Sequence, residues 1–327
     1  MNQFDITIAG EINLDLILYG LPDQLPVDRE LLASGFSLTL GSSSAILAHN
    51  LGALGVNVGF ATKIGADPLG KIALDLVSGP NVTLSHLASA AADQTGVTVL
   101  LHHAKARHIL TYMGVMAEMD LNDIDMSFIA SSRHFHLSSL FLQKGLQRDL
   151  PHLCRELKQR GLTLSLDTND DPDDQWGEPL GELLGLVDLL LPNEDEAKRM
   201  TGTDDLDAAI DILARQVPIV AVKCGSQGSI VQAGSERYVA PPLRVEPVDT
   251  IGAGDSFNAG FLKAYLQGLP LGECSVAGNA SAALSTQRSG GTEAFRDKDL
   301  LRRFLQANSS AFDSPPGDGE SAVKTAR

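Results

Sequence analysis

The densest chemistry in this 327-residue chain lies in Asp249-Thr250-Ile251-Gly252-Ala253-Gly254-Asp255-Ser256-Phe257. Phe257, Phe261 and Tyr265 recur at helical spacing, so the run to Gln267 predicts a helix with one apolar face. Gly252-Ala253-Gly254 then falls at its N-terminus, where unpaired backbone N–H groups attract an anion and small side chains let it approach. Asp255 stands in the first turn, beside that anion. A carboxylate next to an anion cradle suits phosphoryl transfer to a hydroxyl: the carboxylate takes the proton and the N–H groups receive the developing charge. A plain turn with an N-terminal acid shows the same short pattern, so the longer context decides.

That longer pattern, Asp-Thr-x-Gly-Ala-Gly-Asp-x-Phe, resembles the C-terminal motif of the ribokinase-like (PfkB) sugar kinases. The resemblance implies an ATP-dependent kinase with Mg²⁺ as cofactor and a sugar or sugar-like alcohol as substrate. Asp255 is then the catalytic base and a substrate contact, and Gly252, Ala253 and Gly254 form the anion hole against the ATP phosphates. Asp249 and the Ile251 carbonyl resemble part of a monovalent-cation loop, which implies activation by K⁺.

Further segments extend the likeness. Asn193 and Glu196 match an Asn-x-x-Glu motif that organises Mg²⁺ and phosphate, often through water; Mg²⁺ retains several waters and needs few direct carboxylates. An acid-rich helix start gives the same pattern. Lys223-Cys224-Gly225-Ser226-Gln227-Gly228 resembles the turn along the ATP phosphates, with Lys223, Gly225 and Gly228 as contacts. Lys223 replaces the usual Thr and offers an ammonium where a hydroxyl is common. Asn279, in Gly278-Asn279-Ala280, is the candidate on an adenine-facing helix.

Asn13 and Asp15 stand two apart in Glu11-Ile12-Asn13-Leu14-Asp15-Leu16. On a strand both point to one face, away from Ile12, Leu14 and Leu16, and an amide with a carboxylate can hold sugar hydroxyls. The resemblance assigns them that role. It adds Gly41, Ser42 and Ser43 from Gly41-Ser42-Ser43-Ser44-Ala45-Ile46, which departs from the family at Ser42 and at Ile46, where Asn is common. Ser42 to Ser44 also read as a helix N-cap cluster. Gly65-Ala66-Asp67-Pro68-Leu69-Gly70-Lys71 has P-loop spacing, but Ile72 follows instead of Ser or Thr and Pro68 removes an N–H donor, so it reads as a structural turn. Asp167-Thr168-Asn169 ends a strand as a polar triplet. His136, Ser138, Ser139 and Gln143 are read as strand-end polar residues, and His102, His103 and His108 as surface residues.

These residues need a scaffold. From residue 120 onward, strand-like His134–Leu140, Leu162–Asp167, Val187–Leu191 and Ile219–Lys223 alternate with helical Leu146–Arg160, a helix after Pro192, and closing helices Gly254–Gln267 and Leu271–Thr286. Alternation of this kind predicts a parallel sheet covered on both faces, with ligands at the carboxyl ends of its strands. Thr95–Leu101 and Arg107–Tyr112 predict a hairpin around Ala104-Lys105. The expected fold is therefore α/β, a ribokinase-like three-layer sandwich with a mostly parallel central sheet and a small β lid. The kinase domain spans residues 1–308, with lid segments near 14–40 and 95–112, and residues 309–327 are expected to form a disordered tail. In the resembled family such a lid covers the sugar and often forms a dimer contact, so a homodimer through the lid is expected.

Composition sets outer bounds. A net charge of −16 disfavours nonspecific binding to nucleic acid or anionic membrane. Cys154, Cys224 and Cys274 form no Cys-x-x-Cys pair and read as free thiols. No leader or spanning segment is read, so a cytoplasmic protein is expected. The rival readings are a nucleoside (adenosine-type) kinase of the same fold and a catalytically silent sugar-binding protein. A dinucleotide-dependent dehydrogenase lacks its glycine fingerprint after the first strand.

Overall fold

In a computed structural model of the chain, residues 2–88, 93–103, 107–312 and 323–324 are described. The strands are β1 (Phe4–Ala9), β2 (Asn13–Leu21), β3 (Gly35–Gly41), β4 (Val58–Ile64), β5 (Val82–Ala88), β6 (Gly96–His103), β7 (Arg107–Tyr112), β8 (Ser132–Ser138), β9 (Thr163–Asp167), β10 (Leu189–Leu190), β11 (Ile219–Lys223), β12 (Ser229–Ala233), β13 (Glu236–Ala240) and β14 (Val323–Lys324). They form two sheets. The larger has the order β14-β13-β12-β11-β10-β9-β8-β1-β4-β5, and the smaller β3-β2-β6-β7.

From β11 to β5 every neighbouring pair in the large sheet is parallel. Such a sheet must be covered on both faces, and side chains divide accordingly. Along β11, Ala221 joins the core that contains Phe60, Phe257 and Phe261, while Val220 and Val222 join the core that contains Phe135, Leu153 and Leu164. The helices Ser43–Ala53, Ala253–Leu266 and Leu271–Ser285 cover the first face; Leu150–Gln159 and Leu206–Leu213 cover the second.

One expectation is corrected in detail. The run Leu146–Arg160 is not one helix but a turn at Lys144–Gln147 and a helix at Leu150–Gln159. Pro151 stands in that helix's first turn, where its missing N–H is harmless, so the helix starts there rather than passing through. The parallel sheet also carries an antiparallel edge, β11-β12-β13-β14.

The predicted hairpin pairs β6 with β7 antiparallel, and its turn at residues 104–106 lies outside the described residues. In the segment after Ser309, Ser309–Phe312 is helical with Phe312 buried, and Val323–Lys324 pairs with β13; the rest lies outside the described residues. Among the described residues no helix is long and apolar enough to cross a membrane.

Candidate active site

The small sheet and the carboxyl ends of the central strands bring the sequence candidates to a single locality. Gly252 adopts φ 69 and caps the Ala253–Leu266 helix without a side-chain hydrogen bond. Only glycine fits this position: a Cβ would lie 2.5 Å from Gly291 Cα, and the left-handed φ is itself strained for other residues. A Cβ at Gly254 would lie 3.7 Å from Lys223 Nζ, so the ammonium stands beside the helix N-terminus. Asp255 is buried one residue on. Its helix N-terminus favours the charged form, yet the carboxyl is pushed up to about 6, first by burial and then by the Asp167 charge, against Lys223 and a Ser43 hydrogen bond.

Opposite stand Asn13 and Asp15 on β2. Both are buried, on the same face of the strand. Asn13 Nδ2 donates to Thr98 Oγ1 at 2.8 Å, while Asn13 Oδ1 has no partner. Gly41 packs directly against them: a Cβ there would lie 2.2 Å from both Asn13 Oδ1 and Asp15 Oδ1. Burial, then Asp255 and Asp249, push the Asp15 carboxyl up to about 8, against the Arg107 charge. That Asp255 acts on it places the two carboxyls in one electrostatic environment.

The serines divide their roles. Ser42 occupies the N-cap position with φ 66 but makes no capping bond. Glu11, not singled out from sequence, caps the helix instead, accepting from Ser44 N at 3.2 Å and Ser44 Oγ at 2.7 Å. Ser43 Oγ accepts from Asn169 Nδ2 at 3.0 Å. Ile46 is not a deletion in the acceptor wall. Its side chain packs against Gly291, whose Cβ would lie 2.7 Å from Ile46 Cδ1, and Asn50, one turn later, donates to Ser256 Oγ and to Gly291 O at 3.0 Å each.

Asp167 is the main residue that sequence reasoning undervalued. It is fully buried and accepts from Lys223 Nζ at 2.5 Å and from Asn258 Nδ2 at 2.5 Å. Burial pushes the Lys223 ammonium down, but Asp167 and Glu196 outweigh it and hold its pKa above the ordinary value. The available signal was the polar triplet closing β9, which a parallel sheet delivers to the ligand end.

Asn193 and Glu196 form a reciprocal capping box on the Glu194–Thr201 helix. Glu196 Oε2 accepts from Asn193 N at 2.8 Å and Oε1 from Asn193 Nδ2 at 2.6 Å. Burial, then Asp167, push Glu196 up to about 7. With both oxygens engaged, the pair fits an outer, water-mediated metal role rather than direct ligation. Asp249 Oδ1 accepts from Ile251 N at 3.0 Å, and Oδ2 from Tyr19 Oη at 3.2 Å and Gly290 N at 3.2 Å. These donors hold the Asp249 carboxylate in place and stabilise its charge. Among the described residues no cluster of His, Cys, Asp or Glu offers a direct metal site.

On the far side of Lys223 a cavity of about 550 Å³ opens between the Gly225–Gly228 turn and the Leu271–Ser285 helix, lined also by Leu243, Phe257 and Ala282. Gly225 has φ 53 and Gly228 φ 93, and a Cβ at Gly228 would lie 2.1 Å from Ala240 O. Asn279 lines this cavity and is held by its Nδ2 donating to Ala240 O at 3.1 Å and Pro241 O at 3.0 Å.

Gly65–Lys71 is a structural turn: Asp67 caps the Pro68–Val77 helix through Gly70 N at 2.7 Å. His134 and His136 are buried in a hydrogen-bonded chain through Ser165 to Ser138. Ser139 Oγ and N donate to Asn169 Oδ1, and Gln143 Oε1 is buried without a partner. His103 and His108 pair with each other at 2.9 Å.

The sequence profile of the pfkB family carbohydrate kinases matches residues 3–298. This chain belongs to that family. An ATP-dependent ribose-1-phosphate kinase from Halopiger xanaduensis is 31% identical to this kinase over 91% of it and 96% of the relative. Among solved structures, the kinase resembles a ribokinase from Arabidopsis thaliana complexed with ribose and ATP (TM-score 0.76, 24% identity, 93% of this chain and 99% of that one). It also resembles an adenosine kinase from Sinorhizobium meliloti (TM-score 0.78, 24% identity, 88% and 95%). At these identities the structures share the fold: the ribokinase-like architecture, with its mostly parallel sheet.

Proposed function

We propose that this carbohydrate kinase transfers a phosphoryl group from ATP to a hydroxyl of a sugar or sugar-like alcohol, with Asp255 as base. One observation carries the reading: Asp255 is buried in the first turn of the glycine-capped helix, near enough to β2 for its charge to raise the buried Asp15 carboxyl. The Gly252–Gly254 N–H groups and the Lys223 ammonium meet negative charge on one side of Asp255. Asn13, Asp15, Gly41 and Ser43 receive the acceptor on the other. Asp255, near 6, is ionised at neutral pH and takes the hydroxyl proton.

The cavity beside Lys223 has the residues for ATP: an apolar slot, the Gly225–Gly228 turn, Asn279, and an ammonium at its inner end. Asn193 and Glu196 fit Mg²⁺ through water. When bound, these groups supply the phosphoryl group and neutralise its charge. The packing of Ile46 against Gly291 favours neither a nucleoside nor a sugar, while a silent binder has no use for a buried base. Asp255→Asn tests the proposal. Loss of about 10²–10⁴ in kcat is expected; phosphorylation of the best acceptor surviving within tenfold would sink it.

A further inference from the structure

Asn169, last of the polar triplet that closes β9, ties three parts of the site together. Its Nδ2 donates to Ser43 Oγ at 3.0 Å, and its Oδ1 accepts from Ser139 N at 2.9 Å and from Ser139 Oγ at 3.3 Å. Its own N–H donates to Asp167 Oδ1 at 3.3 Å, while Asp167 Oδ2 takes Lys223 and Asn258. The Ser139 backbone N–H can only donate, so it holds the amide oxygen and leaves the N–H₂ end for Ser43. Asn169 and Ser139 both adopt the left-handed backbone region, φ 53 and φ 52, which Asn accepts more readily than most residues. Local strain held by several hydrogen bonds is one way a site keeps a side chain aimed.

Ser43 links this amide to the base. A hydroxyl has one proton and two lone pairs. Asn169 occupies a lone pair, so the proton is left for the Asp255 carboxyl, whose charged form that bond favours. The other groups acting on Asp255 are Asp167 at the end of β9, Lys223 at the end of β11 and Glu11 before β2, and Asp15 on β2 feels its charge in turn. Against these three carboxyls stand Lys223, itself tied to Asp167, and the Ser43 hydroxyl.

We propose that Asn169 is a positioning residue for phosphoryl transfer: it turns the Ser43 proton onto Asp255, which fixes the base and keeps it a carboxylate. The proposal rests on Asp255 as base. Its test follows kcat/KM for the acceptor from about pH 5 to pH 8, as ADP formed by the full chain at saturating Mg-ATP. The acceptor is the fastest of a panel of pentoses, hexoses and nucleosides. Asn169→Gly removes the amide and keeps a residue at ease with a positive φ. Losing the donor to the charged form should move the acid limb up by about half a pH unit or more, whatever happens to the plateau. Ser43→Ala should move it likewise, and adding Asn169→Gly to Ser43→Ala should move it no further, because one acts through the other. A merely structural asparagine would lower the plateau or the melting temperature and leave the limb in place. Should Asn169→Gly not fold, Asn169→Asp serves the same cycle: it also lacks the donor, and its shift should shrink when residue 43 is alanine. A limb unmoved by the Asn169 change, or moved equally with and without Ser43, overturns the inference and leaves Asp255 as base. A wild-type profile without an acid limb, or phosphorylation that survives Asp255→Asn, overturns both.

Discussion

At Asp255 two effects act on a single carboxyl. The helix N-terminus lowers its pKa, desolvation raises it, and the tertiary setting decides for desolvation, at about 6. The base must be ionised to act, so kcat/KM is expected to fall about tenfold per pH unit below 6 and to level off above it. A profile flat from pH 8 to 5 would count against Asp255 as the base. Asp249 is held by the donors of Ile251, Tyr19 and Gly290. With the cation loop that the motif implies, a several-fold gain in rate is expected on exchanging Na⁺ for K⁺ buffer. Equal rates in the two buffers would remove that loop.

Between elements, the Lys223–Asp167 pair ties the end of β11 to the end of β9, and Asn258 adds the Ala253–Leu266 helix. Removing the ammonium strands a buried carboxylate, so Lys223→Met should cost about 3–5 kcal/mol in denaturant unfolding. Adding Asp167→Asn should recover much of that stability while phosphorylation stays low, because the charge beside Gly254 is gone. Recovery of activity together with stability would reduce Lys223 to a structural role.

The strands β9 and β11 were legible from their apolar runs. Their pairing was not, because residues 167 and 223 meet only through the parallel order β9-β10-β11. For the same reason Glu11 was passed over: the cap it supplies belongs to a helix that starts more than thirty residues later.

Over the whole molecule, the small sheet presents an outer face of Phe36, Leu38, Leu110 and Tyr112, opposite in register to Asp15; Phe36 is 64%, Leu110 53% and Tyr112 56% exposed. Apolar side chains aligned on a sheet face call for cover, and a second copy of the chain through this face is our proposal for it. Light scattering at micromolar concentration should find a dimer, and Phe36→Asp with Leu110→Asp should yield a monomer. A wild-type monomer would refute the dimer without touching the active-site reading.

The sequence by itself determined the local chemistry. Glycines at 252 and 254, an acid at 255 and apolar residues at helical spacing define an anion-binding helix start, because these properties depend on neighbours within a few turns. It also determined the alternation that makes a parallel sheet, and with the motif the kinase family. Tertiary structure alone decided what each charge meets. It set Asp255 near 6 and Asp15 near 8, tied Lys223 to Asp167, gave Asp249 the Gly290 N–H, and turned Ile46 into packing beside the glycine hinge. Desolvation and Coulomb interaction act through space, and the partners concerned lie tens to hundreds of residues apart along the chain.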